Sequence, residues 1–234
     1  MSAAAGAYIP FMPAEALLFD VDGTLVDSVD LHARAWQEAF EHFGKRIPYD
    51  AIRAQIGKGG DELMKEFLEP EELKRRGKKI DAYRTDLYKR KYLKEVRGFP
   101  RVCDLFQELR RRDVRIALAS SAKHDELSRY EKLCEIEDLV EIETSGDDAE
   151  RSKPHPDIFG VALERLGPGT AKDRVYVIGD SPWDAIAATR LGVRTIGLLS
   201  GGFPEGDLRK AGCVAIYRDP AELLARLDES PIVR

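Results

Sequence analysis

The run Ala16-Leu17-Leu18-Phe19-Asp20-Val21-Asp22-Gly23-Thr24-Leu25-Val26-Asp27-Ser28 opens on four apolar residues and changes character at Asp20. A short unbroken apolar run reads as a strand buried on both faces, the kind that parallel sheets contain. Asp20 and Asp22 are two residues apart on an extended chain, so their side chains leave it on the same side. Gly23 permits a turn directly after them. Neighbouring carboxylates repel and ionise comfortably only with a cation close by. A bare Asp-x-Asp-Gly reads as a turn or as part of a calcium loop. Placed at the end of a buried strand it reads as a reactive pair. One carboxylate can attack phosphorus, and the other can give and take the proton of the leaving oxygen and of water.

Working outward, the chain alternates strands with helices. After a long interval, apolar strand runs recur at 114–119, 139–144, 175–178, 193–198 and 214–217. Helical periodicity lies between them at 99–112, 123–133, 156–166, 182–191 and 220–227. This alternation predicts an α/β fold, a parallel sheet flanked by helices. Between the first strand and the next, residues 28–43, 50–56, 61–68 and 71–96 show helical periodicity and no strand-like run. Gly57-Lys58-Gly59-Gly60 punctuates them.

The totals agree with a soluble globular chain. The chain has 234 residues, 43% hydrophobic and 34% charged, which fits one α/β domain with a modest insert. A net charge of −5 argues against nucleic acid as partner. Cys103, Cys134 and Cys213 are odd in number and far apart, which predicts free thiols and a cytoplasmic location. Residues 1–13 lack a basic start and carry Pro10 and Pro13, so a loose tail is expected rather than a signal peptide. No apolar run is long enough to span a membrane.

In such folds ligands sit at the carboxyl ends of the strands, which directs attention to the other strand ends. Ser120 ends 114–119; it is placed to donate to a phosphoryl oxygen, or, as Ser121 equally is, to cap the following helix. Lys153 stands in Ser152-Lys153-Pro154-His155-Pro156, where two prolines make a rigid mount for a cation. Asp180 ends 175–178 after Gly179, and a carboxylate there is costly unless it binds something. In Ser181-Pro182-Trp183-Asp184 the serine, proline and aspartate spell a capping box, so Asp184 has a structural reason of its own. Four carboxylates against Lys153 call for one divalent ion, and an all-oxygen set suits Mg²⁺.

Four further features invite a role. Residues 71–97 hold eleven Lys/Arg and five Asp/Glu, a solvated helix face in the plainer reading and an anion-steering surface in the other. His32 lies one helical turn before Trp36; it is a candidate to orient substrate, and Trp36 reads as core. The Gly57–Gly60 loop lacks the spacing of a Walker phosphate loop and reads as a substrate-touching loop that offers Lys58.

The ordered set Asp20-Val21-Asp22-Gly23-Thr24, Ser120, Lys153-Pro154 and Gly179-Asp180-Ser181-Pro182-Trp183-Asp184 resembles the haloacid dehalogenase-like hydrolase superfamily. The resemblance implies a Rossmann-like core (14–27 and 98–234) with an inserted helical cap (28–97). It implies Asp20 as nucleophile and Asp22 as general acid/base. It implies Mg²⁺ held by Asp20, the Asp22 backbone carbonyl and Asp180 with Asp184 in support, and Ser120 and Lys153 on the phosphoryl group. Gly23, Thr24, Ser121, His32 and Lys58 would contact substrate. Because Asp22 is present, the dehalogenase and phosphonatase branches fit poorly. Residues 27–36 are similar to the start of the β-phosphoglucomutase cap, yet the mutases' cap-loop arginine is replaced by Lys58. The expected activity is therefore hydrolysis of a small phosphate monoester by a monomer or homodimer, phosphoglycolate phosphatase-like; sugar phosphates and nucleoside monophosphates satisfy the reading equally. A sugar phosphomutase is the first alternative, a non-enzymatic binding protein the second.

Overall fold

A computed structural model describes residues 13–233; the tail expected at 1–13 falls almost entirely outside them. Strand β1, Ala16–Phe19, is completely buried and sits inside a six-stranded parallel sheet. The others are β4 (Arg115–Ala119), β5 (Ile142–Thr144), β6 (Val175–Gly179), β7 (Arg194–Leu198) and β8 (Cys213–Tyr217), in the order β5-β4-β1-β6-β7-β8. Side chains alternate between the sheet's two faces. Leu17, Phe19, Ile116, Leu118, Tyr176 and Ile178 enter one apolar layer with helices α5 (Val102–Arg111), α6 (His124–Cys134) and α10 (Pro220–Ala225). Ala16, Leu18, Ala117, Ala119, Val175 and Val177 enter the other, with α7 (Asp157–Leu166) and α8 (Pro182–Leu191). This is the Rossmann-like α/β architecture.

Between β1 and β4 stand α1 (Val29–His42), α2 (Tyr49–Arg53), α3 (Gly60–Lys65) and α4 (Pro70–Leu87). They bury an apolar cluster of their own around Trp36, Phe40, Ile52, Leu63 and Ile80. Two strands of two residues each, β2 (Val26–Asp27) and β3 (Arg97–Gly98), pair antiparallel and tie the entry of this helical unit to its exit. Strands so short carry no periodicity, which is why the sequence did not reveal them.

Other differences are local. The helix expected through residue 96 stops at Leu87; a π turn over Tyr88–Tyr92 and a 3₁₀ turn over Leu93–Glu95 follow, with Tyr88 and Tyr92 buried. The helix expected from residue 99 starts at Val102. An additional helix, α9 (Glu205–Ala211), fills the interval before β8, marked by Pro204 before it and Gly212 after it. Neither Ser120 nor Ser121 caps α6, whose N-cap residue is Lys123.

Helix α6 turns Glu126, Leu127, Tyr130, Glu131 and Cys134 inward, so two carboxylates share its buried face. Glu131 is 4% exposed. Burial, with Glu143 beside it, pushes its carboxyl up to about 8. Its unfolded value is 4.5, so above that pH the unfolded chain sheds the proton first and stability falls until about pH 8. Glu131→Gln removes this penalty. Thermal melts should show the variant more stable at pH 8, by about 1–3 kcal/mol or several degrees, with the gap closing towards pH 4.5.

Candidate active site

Parallel register sets the site. Phe19 pairs with Leu118 on one side and Ile178 on the other, so Asp20, Ser120 and Asp180 leave neighbouring strands at the same sheet end. One carboxylate oxygen each from Asp20, Asp180 and Asp184 lie within 4.8 Å of one another, and all three residues are buried. Asp22 is not in this group. Lys153, 1% exposed, reaches across from the loop before α7. Its Nζ donates to Asp20 Oδ1 at 2.5 Å and Asp184 Oδ1 at 2.8 Å. The capping box forms as well: Asp184 Oδ2 accepts from the Ser181 backbone N–H and hydroxyl. Asp184 therefore caps α8 with Oδ2 and joins the carboxylate cluster through Lys153 with Oδ1.

Three carboxylates against one ammonium leave the cluster short of positive charge. Burial pushes the Asp20 carboxyl up to about 7, against Lys153 and with Asp184 and Asp22. Burial, with Asp20 and Asp184 beside it, pushes Asp180 well above the usual range against Thr24 and Lys153. Burial pulls Lys153 down, but Asp184 and Asp20 outweigh it and hold its ammonium above the ordinary value. Asp20 Oδ2 is buried without a partner among the described residues. An orphaned carboxylate oxygen inside an all-oxygen, acid-rich cluster fits a hard divalent cation.

Asp22 is held differently. Ser28 Oγ donates to its Oδ1 at 2.6 Å, and His32 Nε2 lies 2.8 Å from the same oxygen. Arg84 of α4 donates to His32 Nδ1 at 2.5 Å. A guanidinium only donates, so Nδ1 accepts and Nε2 carries the proton that goes to Asp22. Tyr88 stacks on the imidazole at 4.0 Å. Burial raises the Asp22 carboxyl, but His32, Ser28 and Arg84 outweigh it and hold it below the usual carboxylate value.

Several of these groups line a cleft of about 60 Å³ between the helical unit and the sheet. Asp20, Asp22, His32, Lys58, Ser121 and Lys153 are all on its walls. Gly23 and Thr24, expected at the substrate, stand behind the carboxylates instead. Thr24 is fully buried and its hydroxyl donates to Asp180 Oδ1 at 3.0 Å. Gly23 has φ +80°, and a Cβ there would lie 2.4 Å from Asp180 Oδ2. Ser120 is also fully buried, and its Oγ accepts from the Ala122 N–H at 3.0 Å. Lys58 pairs with Glu66 at 2.7 Å and sits 4.1 Å over the Trp183 ring, which docks the glycine loop on the core. Trp36 is cluster core and also edges the cleft.

The haloacid dehalogenase-like hydrolase family model matches residues 17–198. The chain belongs to this family. The hydrolase is 27% identical over 216 residues to a phosphorylated carbohydrates phosphatase of Thermotoga maritima, spanning 92% of this chain and 99% of that one. It is 30% identical over 218 residues to a phosphoglycolate phosphatase of Nitrosospira multiformis, spanning 88% and 92%. The crystal structure of a hydrolase from Pseudomonas syringae matches with a TM-score of 0.83 at 30% identity, over 93% of this chain and 99% of that one. Within the hydrolase, sequence reading passed over four contributors. Arg84 was one of eleven cations in a stretch read as solvated. Several others of that stretch do pair on the surface, Lys89 with Asp125 and Lys91 with Glu38 among them. Ser28 read only as the end of the opening run and the start of a helix, and Glu126 drew no reading of its own. Gly201 closes on the cluster so tightly that a Cβ there would lie 1.7 Å from Asp180 Oδ2; only the glycine pair Gly201-Gly202 hinted at it. No helix among the described residues is long and apolar enough to cross a membrane.

Proposed function

We propose that this chain is a Mg²⁺-dependent phosphohydrolase that cleaves a small phosphate monoester through an aspartyl-phosphate on Asp20. The observation that carries the reading is the buried cluster of Asp20, Asp180 and Asp184, with Lys153 bonded into it and Asp20 Oδ2 left over. Asp20, Asp180, Asp184 and the Asp22 backbone carbonyl would hold the ion. Bound there, it neutralises charge on the carboxylates and on the phosphoryl oxygens. Asp20 attacks phosphorus and the bond to the leaving oxygen breaks. Next to Asp22 the negative phosphoryl group opposes the pull of His32 and Arg84 and lets its carboxyl carry a proton. Asp22 gives that proton to the leaving oxygen, then takes one from the water that cleaves the aspartyl-phosphate. His32 and Ser28 grip Asp22 Oδ1 and so leave Oδ2 for the reacting oxygen. Lys153 holds the phosphoryl group, with the Ser120 hydroxyl proton and Ser121 beside it. Residues 28–97 act as a cap that excludes bulk water. Lys58, committed to Glu66 and Trp183, is poorly placed to grip a second phosphate, which favours hydrolysis over mutase action. The three free thiols suit a cytoplasmic enzyme.

The test is phosphate release from an aryl phosphate with Mg²⁺ and with excess chelator. Turnover should appear with the metal and fall at least about 100-fold with chelator, returning when Mg²⁺ is added back. Equal rates in both would contradict the metal assignment, and no release in either would favour the binding-protein alternative.

A further inference from the structure

Two cleft residues keep buried polar atoms that this mechanism does not use. Glu126 is 2% exposed on the inner face of α6, and its Oε1 has no partner among the described residues. Arg84 spends one terminal nitrogen on His32, while its Nε is likewise buried and without a partner among the described residues. Both residues line the cleft that holds Asp20 and Asp22. Both also line an adjoining chamber of about 300 Å³, which Asp20, Asp22 and Lys153 do not reach. They stand, with Ser121, at the neck between the reacting centre and the space left for the rest of a substrate.

One donor and one acceptor, both buried and both unanswered, define the group that would satisfy them. A hydroxyl accepts from Arg84 Nε–H through its oxygen and donates to Glu126 Oε1 through its proton. A carboxylate or second phosphate would answer Arg84 and set like charge against Glu126; an ammonium would do the reverse. The chamber beyond adds Asp61, Asp81, Asp147 and Glu150 against Lys123, so it too disfavours an anionic tail. Burial raises the Glu126 carboxyl while Arg84 and His32 pull it back.

We propose that Glu126 and Arg84 recognise a free hydroxyl on the leaving alcohol, so that this enzyme selects phosphate esters of polyhydroxylated alcohols, sugars or polyols, that carry no second anionic group. The inference rests on the phosphohydrolase reading above. It makes Glu126 a specificity-determining residue of the core rather than of the cap. It also turns the choice of substrate away from phosphoglycolate, whose leaving alcohol carries a carboxylate.

The experiment compares kcat/KM for sorbitol 6-phosphate, phosphoglycolate and p-nitrophenyl phosphate in the full chain with Mg²⁺. The parent enzyme should prefer the hexitol phosphate to phosphoglycolate by about 100-fold or more. Glu126→Ala should lower the ratio of hexitol phosphate to aryl phosphate by about 10–100-fold. Glu126→Gln, nearly isosteric and still an acceptor, should keep part of that ratio while raising phosphoglycolate relative to the other two. A parent enzyme that prefers phosphoglycolate would overturn the proposal. So would Glu126 variants in which all three substrates fall together, because that marks a residue that only supports Arg84 or the fold. If the parent released phosphate from none of the three, the phosphohydrolase reading itself would fall and take this one with it.

Discussion

Asp20→Asn is expected to lower kcat for phosphate release by about 10⁴-fold or more while leaving the fold intact. The amide is a poor nucleophile for phosphorus, and no other cluster oxygen replaces it: Asp184 is spent on Ser181 and Lys153, and Asp180 accepts from Thr24. Stability should move the other way. Without metal, burial holds the Asp20 carboxyl at about 7, against 3.8 for the ordinary group. Between those values the unfolded chain releases the proton that the native chain keeps, so the wild type loses stability as pH rises through that window. The asparagine variant does not titrate there. In chelator it should melt above the wild type at pH 8 and level with it at pH 4. Melting curves and a phosphate-release assay on the same preparations separate the two effects. A variant that keeps wild-type turnover with Mg²⁺ would end the aspartyl-phosphate mechanism.

Lys153→Met should show the largest loss of stability. Its ammonium is 1% exposed and is the cation bonded to both Asp20 and Asp184. Removing one member of a buried ion pair leaves charge uncompensated and costs about 3–5 kcal/mol. For a chain of this length that is roughly 6–20 °C in melting temperature. Saturating Mg²⁺ should recover part of it, because a ligand that binds only the native state stabilises it by mass action. Activity should fall by about 10²–10³-fold even with metal, since a fixed positive charge at the phosphoryl group is gone. Lys153→Arg should not restore either property: a planar fork replaces a compact point charge in a fully enclosed place. Differential scanning calorimetry with and without Mg²⁺ measures the first effect. A Lys153→Met melt that matched the wild type would show that the ammonium does not hold the cluster together.

The capping box at Ser181 and Asp184 was readable because it lies within four residues, and local hydrogen bonds follow local sequence. The strand ends were readable for a related reason. An apolar run buried on both faces must change character where it meets solvent or a ligand, and Asp20 and Asp180 mark two such places. Their meeting was not local. Lys153 and Asp20 are 133 residues apart, and parallel register, β4 beside β1 beside β6, brings the three strand ends together. The ordered motifs implied that meeting only through their resemblance to a known family.

The sequence by itself determined the alternation of strands and helices, the helical insert, and the four polar groups that end or follow strands. Tertiary structure alone decided what the charges of the insert and of α6 do. Arg84 has the same side chain and helical setting as cations that pair on the surface, and Glu126 belongs to a helix with acidic residues elsewhere. Which side of a helix faces a cleft depends on the partner it packs against. Gly201 against Asp180, and Thr24 turned to that carboxylate rather than to the substrate, follow from the same cause. Pairwise contacts across a fold are set by packing and register, and no short window of sequence carries them.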